Sequence, residues 1–162
     1  MNIRIRQARP EDLPSIAALE AACFPPAEAA GPAAFKKRIE TFPENFFVAE
    51  VEEQIVGMIN GCVTDDETIS DILFEDSSRH HPDGRYQSIF GLDVLPDWQH
   101  KGIATILMTY FIHKAMDFGR EGLILTCKEK LITFYEGFGY QNLGVSGSTH
   151  GGAVWYDMLL AF

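Results

Sequence analysis

Between Leu92 and Ala104 the chain reads Leu-Asp-Val-Leu-Pro-Asp-Trp-Gln-His-Lys-Gly-Ile-Ala. A hydrophobic run ends at Pro96, and Gly102 opens a long stretch of helical periodicity. A strand that turns tightly into a helix leaves the first amides of that helix without carbonyl partners, with the positive end of the dipole behind them. The chemistry of such a turn is anion binding, phosphate above all. Gly102 lets an anion approach the main chain, and Ala104 supplies a second small residue. An ordinary strand-turn-helix junction, in which Gly102 only relieves crowding, accounts for the same residues. The run lacks both the Gly-Lys-Ser/Thr ending of a triphosphate loop and the three glycines of a dinucleotide fingerprint, which argues against those nucleotide classes.

The elements that would position this turn follow from periodicity. Ile3 and Ile5 alternate with Arg4 and Arg6, so a first strand is expected over roughly residues 2 to 7. Pro10 opens a helix that carries Leu13, Ile16, Ala17 and Leu19 and ends near Cys23, before Pro25-Pro26. A second helix is expected from Ala33 to Thr41, closed by Pro43. The runs 46–51 and 55–63 flank Glu52-Glu53-Gln54 and read as an antiparallel hairpin. A polar segment, 64–85, is expected to hold a short helix and a surface loop. There follow a strand over 86–95, a helix over 102–118 with Ile106, Met108, Phe111, Ile112 and Met116 as its core stripe, and a buried strand over 122–127. A short helix over 130–137 and strands over 140–145 and 153–160 complete the chain. This order predicts one mixed sheet with helices on both faces, in a single domain over 1–162.

Composition limits what that domain does. The chain has 162 residues, of which 46% are hydrophobic, enough for one sizeable core. A formal net charge of −10 disfavours nucleic-acid phosphate, whose binding needs a basic surface, and suits a cationic small substrate. Cys23, Cys62 and Cys127 are widely spaced and form no CxxC pair, so they are expected to be buried thiols, with neither disulfide nor zinc. His80 and His81 fall in a loop and supply no defined ligand set, so no metal is expected. No apolar run approaches the length of a membrane span, and the N-terminus lacks the pattern of a secretory signal. A cytoplasmic protein without a membrane partner is the expectation.

Two motifs carry a resemblance. Gln99-His100-Lys101-Gly102-Ile103-Ala104, preceded by Leu92-Asp93-Val94-Leu95-Pro96, resembles the Gln/Arg-x-x-Gly-x-Gly/Ala pyrophosphate loop and Leu-x-Val-x-Pro strand of the GNAT superfamily of N-acetyltransferases. Downstream, Phe134-Tyr135-Glu136-Gly137-Phe138-Gly139-Tyr140 resembles that family's Phe-Tyr-x-x-x-Gly-Phe/Tyr segment. Leu125 to Leu131, leading into Phe134-Tyr135, is most similar to the arylalkylamine (serotonin-type) branch. That branch has two histidines on the strand before Leu-x-Val, where this chain has Ser88 and Phe90. The departure puts the arylalkylamine substrate and a direct histidine base in doubt.

The resemblance implies an α/β single-domain fold, with a mixed, mostly antiparallel sheet of about seven strands, flanked by about four helices and splayed between its fourth and fifth strands. It implies acetyl-CoA as co-substrate and no metal. The pantetheine arm would pair with Leu92, Asp93 and Val94, and the pyrophosphate would meet Gln99, His100, Lys101, Gly102, Ile103, Ala104 and Thr105. Main-chain amides of Leu92 and Val94 would stabilise the oxyanion. Phe134 and Tyr135 would also meet the cofactor, and Tyr135 would be the general acid for the departing thiolate; packing as a core aromatic beside Phe134 is the other reading of Tyr135. Asp93, Glu28 and His150 are candidates to take the amine proton through water, and Phe24, Glu28, Ser88 and Phe90 to line the acceptor site. Transfer of acetyl to a primary amine of a small molecule is the leading expectation. A protein N-terminal or lysine acetyltransferase, a non-catalytic acetyl-CoA sensor, and a homodimer through the C-terminal strands and the 144–152 loop are also consistent with the resemblance.

Overall fold

Ile5 alternates with Arg4 and Arg6, and the chain does form its first strand there, β1 (Arg4–Gln7). The computed structural model describes all of residues 1–162. After β1 come α1 (Leu13–Cys23), α2 (Pro32–Thr41), β2 (Phe46–Val51), β3 (Gln54–Asn60), β4 (Val63–Thr64), α3 (Asp71–Glu75), β5 (Tyr86–Ile89), β6 (Gly91–Val94), α4 (Ile103–Asp117), β7 (Gly122–Cys127), α5 (Ile132–Glu136), β8 (Gln141–Val145) and β9 (Tyr156–Ala161). The chain divides into two compact units, Met1–Gly61 with Gly91–Phe111, and Cys62–Phe90 with Ile112–Phe162.

In the first unit the strand order is β1-β2-β3-β6, antiparallel throughout. β2 and β3 are apolar on both faces because both faces are covered. Ile16 and Leu19 of α1 and Phe35 and Ile39 of α2 pack against Phe46, Val48 and Met58 on one face. On the other, Phe47 meets Tyr110 and Phe111 edge-on, with ring centroids 5.0 and 6.0 Å away. Burial of each such side chain stabilises the fold by roughly 1.5–3 kcal/mol. Gly57 is the point of closest approach. A Cβ there would lie 3.1 Å from Leu107 Cδ1 and 3.3 Å from Ile103 Cγ2, so only glycine lets the first turns of α4 lie against the sheet.

The second unit has the order β4-β5-β7-β9-β8, in which only β5 and β7 run parallel. β7 is central and reads as a nearly continuous apolar run, Gly-Leu-Ile-Leu-Thr-Cys, as a doubly covered strand must. β8 lies at the edge and leaves Leu143 and Val145 exposed.

Four sequence expectations are corrected. The predicted strand over 86–95 is two strands, β5 in one sheet and β6 in the other, broken at Phe90. The predicted strand over 55–63 likewise stops at Asn60, and Val63–Thr64 pairs with β5. Cys62 explains the break, for its carbonyl accepts the Ser88 N–H and the Ser88 hydroxyl, both at 2.8 Å, and leaves the β2-β3 ladder. In α4 the buried stripe is Ile103, Leu107, Met108, Phe111 and Ala115, while Ile106 and Met116 are exposed. The seat of Ile103 and Leu107 against Gly57 fixes which face of the helix is turned to the sheet. Cys62 and Cys127 are buried thiols, but Cys23 is half-buried. His80 is tied by a hydrogen bond in which its Nδ1 accepts the Val63 N–H at 3.0 Å. No group of three or more His, Cys, Asp or Glu side chains is placed to hold a metal ion, and no helix is long and apolar enough to cross a membrane.

Candidate active site

β6 is an edge strand, and its hydrogen-bonding phase decides which groups point outward. Leu95 N–H donates to Val56 O at 2.8 Å, and the register pairs Asp93 with Met58 and Gly91 with Asn60. Antiparallel ladders alternate between bonded and non-bonded pairs. Gly91, Asp93 and Leu95 therefore bond to β3, and the main-chain groups of Leu92 and Val94 face off the edge of the sheet. The Val94 carbonyl is engaged, accepting Cys23 Sγ–H at 3.2 Å and Gln99 Nε2–H at 3.0 Å. That leaves the Val94 N–H, and both groups of Leu92, open to a partner laid along the edge.

The turn that follows concentrates amides. A single 3-10 turn over Pro96–Trp98 leads to His100 at φ 61° and Gly102 at φ 85°. Left-handed residues interleaved in a turn bend successive N–H groups toward one side and make an anion-binding concavity. The first helical bond of α4 is Ile106 N–H to Gly102 O at 3.0 Å, so the amides of Gly102, Ile103, Ala104 and Thr105 have no partner within the helix. Nothing lies within 4 Å of where a Gly102 side chain would begin. The side chains of Gln99, His100, Lys101 and Thr105 are exposed around the turn, Ala104 is half-buried, and Ile103 is buried and anchors it.

Side chains of β6 alternate, so Asp93 projects from the face that carries α1 and α2. It is 1% exposed and lies beside the carboxyl of Glu20, itself buried, and neither Asp93 carboxyl oxygen meets a donor. Burial first, and then the Glu20 carboxyl, push Asp93 well above the usual carboxylate range. A carboxyl so held resists ionisation, and ionisation is what a proton acceptor needs. The expectation that Asp93 receives the amine proton meets that obstacle. Phe24 and Glu28 lie in the connection that follows α1. There Phe24 is half-buried and Glu28 is buried, and the Glu28 and Ala29 N–H groups both donate to Pro25 O, at 2.9 and 3.0 Å.

Within the second unit, Ser88 is fully buried and spends its hydroxyl on the Cys62 carbonyl. Phe90 is half-buried against Phe74, with ring centroids at 5.4 Å. Phe74 also meets His150 at 4.7 Å, and His150 meets Trp155 at 6.1 Å. Four rings from three separate segments thus form one half-buried cluster. The Asp71 carboxylate holds two of those segments together, accepting from Ser148 Oγ and from Thr149 N–H. Those bonds keep its pKa below the usual range. Tyr135 on α5 is 8% exposed and packs against Phe134 and Tyr140, with centroids at 5.1 and 5.8 Å. Burial and the neighbouring Tyr135 hold the Tyr140 phenol well above its ordinary value.

The sequence reading passed over Glu20, Arg38, Phe74 and Trp155. Two of them carried a signal: Glu20 follows Ile16 and Leu19 on a helical apolar stripe, and Arg38 falls between Phe35 and Ile39 on another. A charge on a buried stripe marks a polar site inside the core. Phe74 and Trp155 carried none, since nothing local tells where a loop aromatic folds back.

Comparison with known proteins gives the family. The 27% identical stretch of serotonin N-acetyltransferase from Mesocricetus auratus runs over 108 residues, 66% of this chain and 51% of that protein, so the chain spans about half the length of the curated relative. Among solved structures, the GNAT-like decarboxylase GphF in complex with isobutyryl-CoA superposes with a TM-score of 0.86 at 22% identity over 98% of both chains. The loading GNATL domain of CurA from Lyngbya majuscula gives 0.84 at 16% identity, over 99% of this chain and 98% of that one. These likenesses show the fold. The sequence model of the Acetyltransferase (GNAT) family matches residues 13–140, and with the edge strand and the open amides of the following turn in place, the chain belongs to that family.

Proposed function

We propose that the chain transfers acetyl from acetyl-CoA to a primary amine of a small molecule. One observation carries this reading: the run of partnerless amides from Gly102 to Thr105, behind the left-handed turn at His100 and Gly102 and directly after an open strand edge. The donor set suits a diphosphate, for it offers several N–H groups at the N-terminus of a 15-residue helix with Lys101 and His100 beside them. Bound there, acetyl-CoA supplies the activated acetyl group. Leu92 pairs with the pantetheine arm along the edge, and the Val94 N–H donates to the thioester oxygen, strengthening as negative charge develops on it. Tyr135 gives its phenolic proton to the departing thiolate. Glu28 and His150 are the remaining candidates to take the proton that the amine loses. The cluster of Phe74, Phe90, His150 and Trp155 supports an acceptor with a flat apolar body. Exposed Leu143 and Val145 on the β8 edge support a homodimer through the C-terminal strands, which sedimentation tests.

The test is a thermal-shift titration with acetyl-CoA, followed by release of free thiol with and without amines. A ligand that binds only the folded state stabilises by about 2.7 kcal/mol at a hundredfold excess over its Kd. Wild type is expected to show that rise and Gly102→Asp to lose it, because the new carboxylate occupies the diphosphate position. Thiol release should depend on added arylalkylamine or polyamine. Release that depends on peptide N-termini or lysines would move the acceptor to protein, and binding without release would leave a sensor. Because the fold is shared with a protein described as a decarboxylase, malonyl-CoA is run in parallel and is expected to be inert.

A further inference from the structure

Four polar side chains are sealed together in the first unit. Glu20 of α1, Arg38 of α2, Asn60 of β3 and Asp93 of β6 are 5%, 2%, 0% and 1% exposed. Arg38 Nη1 donates to Asn60 Oδ1 at 3.0 Å, and its guanidinium lies over the Phe35 ring. The Ala30 N–H donates to Glu20 Oε2 at 2.8 Å. A Cβ on Gly91 would find Asp93 Oδ1 at 3.2 Å, Asn60 Nδ2 at 3.7 Å and Glu20 Oε1 at 3.8 Å, so three polar atoms converge on the space that residue 91 leaves by lacking a side chain.

Charge counting assigns a proton within this group. One cation, Arg38, stands against two carboxyls that converge at Gly91 out of reach of water, and two sealed carboxylates repel each other unless a proton lies between them. Glu20 Oε2 already accepts a main-chain N–H, whereas no N–H reaches either oxygen of Asp93. The proton therefore belongs to Asp93. Of the other groups on this face, the Cys23 thiol stays neutral, pushed up to about 12 by burial above all.

We propose that Asp93 is a positioning residue: its carboxylic acid donates to the Glu20 carboxylate and, through the Glu20 bond to Ala30, fixes the Phe24–Ala30 connection against the edge strand. The catalytic consequence rests on the acetyltransferase reading, in which Phe24 and Glu28 line the acceptor site. The structural consequence does not. The groups that meet Asp93 are Glu20 and Cys23 from α1, Arg38 from α2 and Asn60 from β3. Raising the pH through the elevated Asp93 pKa sets two carboxylates against each other and frees the connection.

Amide hydrogen exchange at Ala30 in the whole protein tests this without any turnover, with Asp93→Asn and Asp93→Leu as the variants. Asparagine keeps an N–H donor toward Glu20, so protection at Ala30 is expected to stay near wild type and to lose its decline at alkaline pH. Leucine removes the donor, and protection should fall by about tenfold, the scale of one buried hydrogen bond to a charged partner. In turnover, Asp93→Leu raises KM for the amine and leaves KM for acetyl-CoA in place, and Asp93→Asn rescues it. Should Asp93→Asn lose protection as Asp93→Leu does, or abolish the basic limb of kcat, Asp93 works as an ionised group and the proposal fails. If Asp93→Leu does not fold, the asparagine variant decides alone. Absence of acetyl-CoA binding in the wild type would overturn the enzyme reading while the Ala30 measurement still judges the pair.

Discussion

Tyr135 shows how a side chain can satisfy two descriptions at once. Its ring is packed between Phe134 and Tyr140, as a core aromatic would be, yet a phenol is also the group that can protonate a thiolate without being ionised at neutral pH. Tyr135→Phe separates the two. The ring contacts persist, so urea unfolding should report a loss of about 1 kcal/mol for one buried hydroxyl, while kcat falls about a hundredfold with acetyl-CoA binding retained. A variant with full turnover would leave Tyr135 as packing alone. Gly102 was legible because a φ of 85° and open space around it are needs that glycine alone meets cheaply. Gly102→Ala should therefore cost about 1 kcal/mol in strain and keep the thermal shift that Gly102→Asp loses. The approach of Glu20 to Asp93 was not legible, because the two are 73 positions apart in sequence and only the fold joins them.

Elements were legible where one periodicity ran without interruption and were missed where a strand changes sheets. β7 and both early helices announce themselves by uniform apolar patterning. Phe90 and Gly61 do not, because no proline or polar turn marks the change of pairing there. α4 shows the same limit at finer grain: two heptads of mixed apolar residues admit more than one stripe, and the contact at Gly57 selects Ile103 and Leu107. That contact makes a prediction at this scale. A Cβ at residue 57 would lie 2.9 Å from the Asp93 carbonyl oxygen and 3.1 Å from Leu107, a clash that main chain must relieve. Gly57→Ala should cost about 1–3 kcal/mol in urea unfolding. It should also weaken acetyl-CoA binding in calorimetry, since the helix it displaces carries the open amides at its first turn. Binding unchanged in a destabilised variant would show that the turn, and not the seat of α4 on the sheet, sets the geometry.

At the scale of the whole molecule, charge and burial act together on the pH dependence of stability. The net charge of −10 means that exposed carboxylates repel one another at neutral pH, a cost that shrinks as protons are added. Asp93 acts in the same direction. Its folded pKa is raised, so its contribution is complete below the unfolded carboxylate value of about 4 and is lost as pH rises toward the folded one. Asp12 acts in the opposite direction. Arg6 donates to it at 2.7 Å and to Glu50 at 3.0 Å, which holds the Asp12 carboxyl below its usual range, so that contribution exists above about pH 4 and is lost on further acidification. The sum is a maximum on the acid side of neutrality, with Tm rising from pH 8 toward about 5.5 and falling below about 4. Salt distinguishes the two causes of the alkaline decline. Repulsion among exposed carboxylates is screened over about 10 Å at 0.1 M, whereas a sealed pair is not. Calorimetric Tm between pH 5.5 and 8 should therefore flatten only in part when sodium chloride is added to wild type, and flatten fully in Asp93→Asn with the same salt. A decline that salt alone removes would mean that surface charge governs the profile and that the buried pair does not titrate in this range.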